Sequence, residues 1–238
     1  MSDSPAAPRR LELWRGARDS LPMLIGAAPF GVIFGTLAAP SDLSAWGALA
    51  MSLLVYAGSA QFVALSLFKE HAGLAVIVMT TLVINLRHAL YSATLLPQVS
   101  HLPQRWRIPL AFGLTDESFA VVQQRQLRQN GVAASHWYFL GSVLAMYLNW
   151  QLWTVVGVAL GRSVEGLDKL GLDFAMVATF VGIVVPLLKT RPMLAAALCA
   201  SAVALAGQSL PYRLGLVLAA LTGVVMGLLL EKRTDHES

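Results

Sequence analysis

The chain has 238 residues, of which 56% are hydrophobic and only 13% are charged. Soluble globular domains carry roughly 45–50% apolar and about 25% charged residues, so a soluble protein with this composition would leave too much apolar surface in water. Lipid is therefore expected to be its main solvent. The net charge of +4 comes from basic residues at the ends and in short connections, without a basic stripe interleaved with aromatics. We therefore expect no nucleic acid partner.

Eight apolar runs follow one another with short connections. They are Leu21–Ala39, Ser44–Phe68, Gly73–Leu96, Ile108–Val122, His136–Leu160, Leu172–Leu188, Pro192–Gln208 and Pro211–Leu230. The pattern predicts an all-α, polytopic transmembrane helix bundle with about eight segments, or seven if one run does not cross. We expect residues 1–20 to be a cytoplasmic segment, residues 21–230 a single transmembrane domain and residues 231–238 a cytoplasmic tail. The first run is longer than the apolar region of a cleaved signal peptide, so we interpret it as a retained helix.

The run Ile108–Val122 is short for a crossing, and the distribution of Lys and Arg tests whether it spans. With eight crossings and a cytoplasmic N-terminus, about eleven basic residues lie inside and about five outside. If this run only dips into the membrane, the count becomes about eight on each side. The eight-crossing arrangement is favoured, and it places both termini in the cytoplasm.

The first two runs contain residues that interrupt helices. Pro29 removes a backbone hydrogen bond and Gly31 offers little resistance to unwinding, so we predict a kink or break there. Gly58 lies among small and polar residues in the second run and is a further predicted break. Gln61 is a candidate substrate contact, although an interhelical hydrogen bond is the favoured role for it.

The third run places an arginine near the middle of a spanning helix. Insertion of a central arginine costs about 2.5–3.5 kcal/mol, so sequences rarely keep one without a use. Tyr91 follows Arg87 by one helical turn on the same face, and Asn85 and His88 form a second polar edge. We interpret these four residues as a polar stripe that faces other helices.

The fourth run adds two adjacent carboxyl groups, Asp116 and Glu117. Neighbouring helical residues point about 100° apart, so both do not face one ligand equally. Alternatively, Thr115 or Asp116 caps a helix that begins there, which makes this a broken helix after Gly113. Such a half-helix presents free backbone N–H groups and positive dipole character, as used by transporters for anionic groups.

At these residues the sequence resembles the AzlC family of branched-chain amino acid permeases. The motifs are Pro29-Phe-Gly31 with Phe34-Gly35, Ala57-Gly58-Ser-Ala-Gln61-Phe62, Asn85-Leu-Arg87-His88-Ala-Leu-Tyr91-Ser92 and Thr115-Asp116-Glu117. They cover about the first half of the chain, and the second half matches in hydropathy only. The resemblance implies export of hydrophobic amino acids such as valine, leucine, isoleucine and methionine across the bacterial inner membrane, together with a small AzlD-type membrane subunit.

The chemistry of a zwitterion assigns roles to the polar residues. Its carboxylate needs a cation, for which Arg87 is the first choice, and its ammonium needs a carboxylate, Asp116 or Glu117. Asn85, Gln61 and Tyr91 are further candidate contacts, and Phe30, Phe34 and Phe62 are candidate walls of an apolar pocket. The chain has no Walker-type glycine loop, so ion coupling is favoured over ATP use, with His88, Asp116 and Glu117 as candidate proton carriers.

Two other classes of function remain open. Ser59 and His88 lie on different predicted helices and are the components of an intramembrane hydrolase dyad, although no GxSxG elbow is present. A structural membrane subunit without a substrate site is the other alternative, in which Arg87 and a carboxylate form only a buried ion pair. We expect no enzymatic activity, no cofactor and no metal, because HExxH and Cys/His clusters are missing from the sequence.

Overall fold

The computed structural model describes residues 8–38, 41, 43–129, 134–163, 181, 185, 188, 190–210 and 214–235. Its helices are α1 (Arg9–Asp19), α2 (Leu21–Ala38), α3 (Ala45–Leu54), α4 (Gly58–Lys69), α5 (Leu74–Val99), α6 (Gln104–Phe112), α7 (Asp116–Arg128), α8 (His136–Ser163), α9 (Arg191–Ala206) and α10 (Leu214–Asp235). The described part of the chain contains no strand, and the predicted all-α class is confirmed.

Three helices are long and apolar enough to cross a membrane: Leu21–Ala38, Leu74–Val99 and His136–Gly161. The outward face of α5 shows why lipid suits this chain, since Leu86 and Leu90 are 58% and 67% exposed. Large exposed apolar side chains in such number are typical of a surface that meets lipid. The number of crossings stays a prediction, because the run Leu172–Leu188 lies outside the described residues except for 181, 185 and 188.

Two of the predicted runs are each divided into two helices by a three-residue break. The chain leaves helix at residues 55–57 between α3 and α4, and again at residues 113–115 between α6 and α7. At the first break Tyr56 has a φ of 43°, in the left-handed region that ends a helix. Tyr147 and Gln151 of α8 donate to the carbonyl oxygens of Leu53 and Ser52, each at 3.1 Å, so two of the carbonyl groups at the end of α3 are satisfied by side chains of α8.

The second break is closed by a capping box. The Ser118 side chain accepts a hydrogen bond from the Thr115 backbone N–H at 2.8 Å, and the Thr115 side chain accepts from the Ser118 N–H at 3.4 Å. The reciprocal bonds satisfy two of the donors that a helix start leaves free. Thr115 is therefore the cap, and the expected broken helix after Gly113 is confirmed.

Helix α2 continues through Pro29 and Gly31, so the break predicted there is wrong, whereas the alternative of a kink stays a prediction. Proline is tolerated inside a membrane helix when neighbouring groups satisfy the backbone it disturbs. Pro29 has no N–H for the carbonyl oxygen of Ile25, four residues before it, and Asn149 of α8 donates to the adjacent carbonyl oxygen, that of Leu24, at 3.1 Å. Gly31 faces α8, where an added Cβ would lie 2.7 Å from the Cβ of Trp153, so this glycine permits close packing rather than unwinding.

Glycines bring α2 and α8 into backbone contact. A Cβ on Gly35 would overlap the carbonyl oxygen of Thr154, and a Cβ on Gly157 would overlap the carbonyl oxygen of Val32. Such reciprocal small-residue packing is the usual way for membrane helices to approach closely. It fixes α8 as the helix against which α2 is held.

The chain divides into two compact units. One consists of Met1–His71 with Ile84–Asp168, and the other of Ala72–Val83 with Lys169–Ser238. The first contains the long helices α2 and α8, both helix breaks and the polar part of α5. In the second, α9 and α10 pack as a hairpin in which Gly223 approaches Ala196 and Ala200.

Candidate functional site

Arg87 lies in the middle of α5, about 20 Å from the start of the helix and about 18 Å from its end at 1.5 Å per residue. Its Nη1 donates to Asp116 Oδ2 at 2.6 Å, and its Nη2 donates to Ser59 Oγ at 2.9 Å. A charge-assisted bond to a carboxylate is about twice as strong as a neutral one. The guanidinium is therefore held from two sides, by an anion and by a hydroxyl.

The two partners of Arg87 both lie at the beginning of a helix that follows a break. Asp116 is the first residue of α7, and Ser59 is the second residue of α4. An acidic side chain is stabilised at a helix N-terminus by the positive end of the dipole. The N-terminal ends of α4 and α7 thus both contact Arg87, in the middle of α5.

These two helix starts differ in how their backbone N–H groups are satisfied. At α7 the capping box satisfies two of them, the N–H groups of Thr115 and Ser118. At α4 the residue before the helix, Ala57, makes no side-chain capping bond. Of the two half-helices, α4 is therefore the one whose start has no side-chain cap, which leaves more of its N–H groups for an anionic group.

Four polar atoms on this part of α5 and α7 are buried and have no hydrogen-bond partner among the described residues. They are Arg87 Nε, Asp116 Oδ1, Asn85 Oδ1 and the Nε2 atom of His88. Buried polar atoms are nearly always paired in folded proteins, so such a group requires an explanation. The set contains a cationic donor and an anionic acceptor, which together match both ends of a zwitterion.

The Arg87–Asp116 pair is not sealed inside the protein. Their side chains are 30% and 42% exposed, whereas a structural ion pair in a packed core is surrounded by protein on all sides. Parts of both side chains therefore lie at the protein surface, while the unpaired Nε and Oδ1 atoms are buried. In the described structure Arg87 pairs with Asp116 and not with Glu117.

Tyr91 stands one turn from Arg87 on α5. Its ring stacks on that of Phe119 of α7, with centroids 4.6 Å apart and planes at 19°, and it contacts His88 edge-on at 6.0 Å. Stacking of this kind holds an aromatic ring in one orientation. Tyr91 thus lies next to the ion pair and connects α5 to α7.

Gln61 belongs to a separate polar network. The side chain is fully buried and its Nε2 donates to Ser52 Oγ at 3.1 Å. The same hydroxyl accepts from Trp150 Nε1 at 3.1 Å and shares a 2.9 Å hydrogen bond with Thr154 of α8. These bonds join α3, α4 and α8, which is the interhelical role that the sequence favoured for Gln61.

The three phenylalanines predicted to line a pocket pack against one another instead. Phe34 is completely buried, and its ring lies 6.0 Å from that of Phe62 and 6.3 Å from that of Trp150. Phe30 contacts the Phe62 ring at 6.5 Å. The rings fill the space between α2, α4 and α8 in this structure.

A serine–histidine dyad gains no support from the geometry. The hydroxyl of Ser59 accepts a hydrogen bond from Arg87, and a guanidinium does not act as a base because it stays protonated in proteins. His88 Nε2 has no partner among the described residues. The two side chains therefore do not form the hydrogen bond that activates a nucleophile.

Comparison with known proteins places these motifs in a family. The family model described as AzlC protein matches residues 22–164, which include α2 to α8 and every residue around Arg87. No solved structure matches the chain.

Relatives of the chain cover most of its length. The Inner membrane protein YgaZ of Escherichia coli is 29% identical over 94% of this chain and 91% of its own. An uncharacterized membrane protein of Helicobacter pylori is 32% identical over 71% of this chain and 75% of its own. The Branched-chain amino acid transport protein AzlC of Bacillus subtilis is 27% identical over 73% of this chain and 68% of its own. The predicted inner-membrane location is thereby confirmed, and the chain belongs to the AzlC protein family.

Proposed function

We propose that the chain transports branched-chain and other hydrophobic amino acids, with valine, leucine, isoleucine and methionine as substrates. The observation that carries this proposal is the partly exposed ion pair between Arg87, in the middle of α5, and Asp116, at the start of α7. Arg87 Nε and Asp116 Oδ1 have no hydrogen-bond partner among the described residues. A related protein from Bacillus subtilis is named as a branched-chain amino acid transport protein.

The substrate carboxylate binds Arg87 and the open start of α4. Arg87 offers Nε in addition to its two Nη groups, and the first N–H groups of α4 lie next to Ser59, to which Arg87 is already bonded. A bidentate guanidinium–carboxylate contact combined with a helix N-terminus is a strong arrangement for an anion. Ser59 then acts as the residue that positions the guanidinium.

The substrate ammonium binds Asp116 through Oδ1, the oxygen that Arg87 leaves free. In the empty site Arg87 and Asp116 neutralise each other, and in the loaded site each exchanges its partner for a charge of the substrate. The number of unpaired charges stays the same in both states, which keeps the cost of charges inside the membrane low. Tyr91 and Asn85 are further contacts at the same level of α5.

The direction, the energy source and the partner are also proposed. We propose export with a small AzlD-type membrane subunit, in line with the family resemblance, and coupling to an ion gradient because the sequence has no Walker-type glycine loop. His88, Asp116 and Glu117 are the titratable groups at the site and are the proposed carriers of a proton. His88 fits this role because its Nε2 lies buried and unbonded beside Tyr91.

Efflux from cells tests the proposal. Cells are fed dipeptides of valine, leucine, isoleucine or methionine, and intracellular amino acid is followed with and without this chain and a candidate small subunit. We expect faster efflux only when both chains are present and Arg87 is intact. Unchanged efflux, with both proteins found in the membrane, would remove hydrophobic amino acids as substrates. Efflux by this chain alone would remove the partner from the proposal.

A further inference from the structure

Helices α2 and α8 run in the same direction. Ser20, which precedes α2, shares a hydrogen bond of 2.8 Å with Ser142 near the start of α8. Near the end of α2, Thr36 donates to the carbonyl oxygen of Gly157, at 3.2 Å, toward the end of α8. Residue numbers therefore increase together along the two helices, and both begin at the same membrane face.

Helix α5 runs in the opposite direction. In its second half, Leu95 packs in one apolar cluster with Tyr138 and Phe139 from the start of α8. Val99, the last residue of α5, packs against the same cluster. Helix α5 therefore ends at the face where α8 begins. Its start lies at the other face, because its 26 residues reach about 39 Å at 1.5 Å per residue.

Helices α6 and α7 enter and leave at one end of α8. Near the beginning of α6, the ring of Trp106 lies 5.0 Å from that of His136, the first residue of α8. Near the end of α7, the guanidinium of Arg125 lies 5.0 Å from the centre of the Tyr138 ring. Both outer ends of this helix pair thus lie beside the first turn of α8.

The break between α6 and α7 lies deeper along α8. The ring of Phe112, the last residue of α6, lies 6.0 Å from that of Tyr147. Tyr147 is about 14 Å beyond Tyr138 at 1.5 Å per residue. A pair that continued straight across would carry α7 further along α8 than Phe112, whereas α7 returns to Tyr138. The pair is therefore a re-entrant hairpin, the α6–α7 hairpin.

Helices α3 and α4 form a second hairpin, the α3–α4 hairpin, at the opposite face. Helix α3 begins shortly after α2 ends at Ala38, and α4 ends at Lys69, shortly before α5 begins at Leu74. The end of α2 and the start of α5 lie at the face away from the start of α8, so α3 enters and α4 leaves there. At the break, Gln61 of α4 donates back to Ser52 of α3, at 3.1 Å.

We propose that the two hairpins enter the membrane from opposite faces and act as the two lids of the Arg87 site. The inference rests on the proposed transport function. The α6–α7 hairpin brings Asp116 to Arg87 from the cytoplasmic side, and the α3–α4 hairpin brings Ser59 from the outside. Each hairpin follows one long helix, so α2–α4 and α5–α7 are repeats of inverted topology, between which transporter sites lie near the membrane midplane.

The interior of each hairpin is packed. Leu110 of α6 and Val122 of α7 are both 1% exposed, and Ser52 of α3 and Gln61 of α4 are completely buried. A substrate that passes along α8 therefore needs one of the hairpins to move. Release of the bond from Arg87 to one tip then opens the site toward one face, while the bond to the other tip is kept.

Basic residues support the assignment of faces. With re-entrant hairpins, Arg105 and Arg107 join the arginines of α1 and α7 in the cytoplasm, which gives about eight basic residues inside up to residue 163 and two outside, Lys69 and Arg162. With two straight crossings in place of the hairpins, the count becomes about seven inside and three outside. The positive-inside rule thus favours the hairpins.

Cysteine labelling in intact cells tests the two faces, with Cys199→Ala as background because Cys199 is the only native cysteine. We expect a membrane-impermeant thiol reagent to label Glu70→Cys, after α4, from outside. It should reach Ser100→Cys, after α5, only after permeabilisation. Straight crossings predict the reverse for both positions. Any pattern other than the expected one would overturn the pair of hairpins, and this readout does not depend on transport.

Reversible cross-linking tests the lid. Phe112→Cys with Tyr147→Cys ties the tip of the α6–α7 hairpin to α8 through a short bis-thiosulfonate reagent. We expect linking to lower leucine efflux at least about 10-fold, because lid opening is required for turnover, and reduction to restore it. Trp106→Cys with His136→Cys is the matched control, since it ties the hairpin at its base, and linking should leave efflux unchanged. Each protein is compared with itself before linking, with the partner subunit present.

If the tip pair does not transport before linking, Leu114→Cys with Phe139→Cys ties the same tip within the apolar cluster. Unchanged efflux after complete linking of the tip, with the wild type active, would overturn the lid. An equal loss in the base-linked control would overturn it as well. A wild-type protein that carries no leucine would instead overturn the transport function, and the labelling would still decide whether the hairpins exist.

Discussion

At the scale of single residues, the choice of partner for Arg87 determines how the site works. The sequence predicted that Arg87 faces other helices with Asp116 or Glu117 as counter-charge, and the structure selects Asp116 at 2.6 Å. The reason is local, because Thr115 caps α7 and so places Asp116 at the helix start. Adjacent helical residues point about 100° apart, and Glu117 therefore faces elsewhere.

Replacing both Arg87 and Asp116 with neutral residues distinguishes a substrate site from a structural ion pair. Arg87→Gln or Asp116→Asn alone leaves one charge unpaired, which destabilises the protein, whereas the double variant leaves none. We expect the double variant to reach the membrane at nearly wild-type level and yet to transport at least about 10-fold more slowly, since charge-assisted contacts to the substrate are lost. Membrane level and efflux are measured together, with the exposed Arg105→Gln as control. Recovery of transport in the double variant would assign Arg87 and Asp116 a purely structural role.

In the proposed site Ser59 positions the guanidinium of Arg87 and is not a nucleophile, so its removal should have a graded effect. Ser59→Ala deletes one hydrogen bond to a charged group, and Arg87 keeps its bond to Asp116. We expect the KM for leucine to rise by at most roughly 10–150-fold with kcat little changed, because a contact of this kind contributes about 1.5–3 kcal/mol. Complete loss of activity in a well-inserted Ser59→Ala protein would point to a nucleophile and contradict the positioning role.

Side-chain packing is the part of the site that the sequence did not predict. Nothing in the local sequence around Ser59 or Arg87 indicates that these two side chains form a hydrogen bond. Phe30, Phe34 and Phe62 have side chains suited to the wall of an apolar pocket. Only the packing of α2, α4 and α8 shows that their rings fill the space between these helices.

At the scale of helices, the contrast between Gly58 and Pro29 shows what interrupts a helix in this chain. Helix α4 begins at Gly58, after Tyr56 takes a left-handed conformation, and side chains of α8 satisfy two of the carbonyl groups at the end of α3. Pro29 has a donor from Asn149 nearby, and α2 continues. The sequence predicted both as breaks, since it does not show which backbone groups a neighbouring helix will satisfy.

Backbone contact between α2 and α8 makes the packing sensitive to one methyl group. In Gly157→Ala the new Cβ overlaps the carbonyl oxygen of Val32, and overpacking of this kind costs about 1–3 kcal/mol. We expect a lower melting temperature in detergent, followed by fluorescence-detected size exclusion. Gly26→Ala is the control, because nothing lies within 4 Å of its added Cβ. Equal melting temperatures for Gly157→Ala and wild type would show that α2 and α8 do not pack through this glycine.

At the scale of the whole molecule, composition predicted a helical membrane protein, and the broken runs explain why crossings are hard to count. Residues 104–128 form two helices of 9 and 13 residues, neither of which spans a bilayer alone at 1.5 Å per residue. The sequence predicts one crossing for them, because end to end they would reach about 37 Å by the same rise. In the proposed arrangement they fold back as a hairpin instead, and both arrangements place the two termini inside.

Cysteine labelling in intact cells also tests the position of the C-terminus, because both arrangements place the connection between α7 and α8 inside. In the Cys199→Ala background, we expect a membrane-impermeant thiol reagent to reach Ala134→Cys only after permeabilisation. Labelling of Ala134→Cys from outside would mean that α8 begins outside. The assignment of both termini to the cytoplasm would then fail for the C-terminus.

The central claim is that Arg87 and Asp116 hold the two charges of a zwitterionic amino acid. Thermal protection of the purified protein with its partner subunit tests it most directly, since a ligand that binds the folded state raises the melting temperature. We compare leucine with leucinamide, which lacks the carboxylate, and with 4-methylpentanoate, which lacks the ammonium. We expect protection by leucine alone, and its loss in the Arg87→Gln/Asp116→Asn protein. Equal protection by either analogue would contradict the two-charge site.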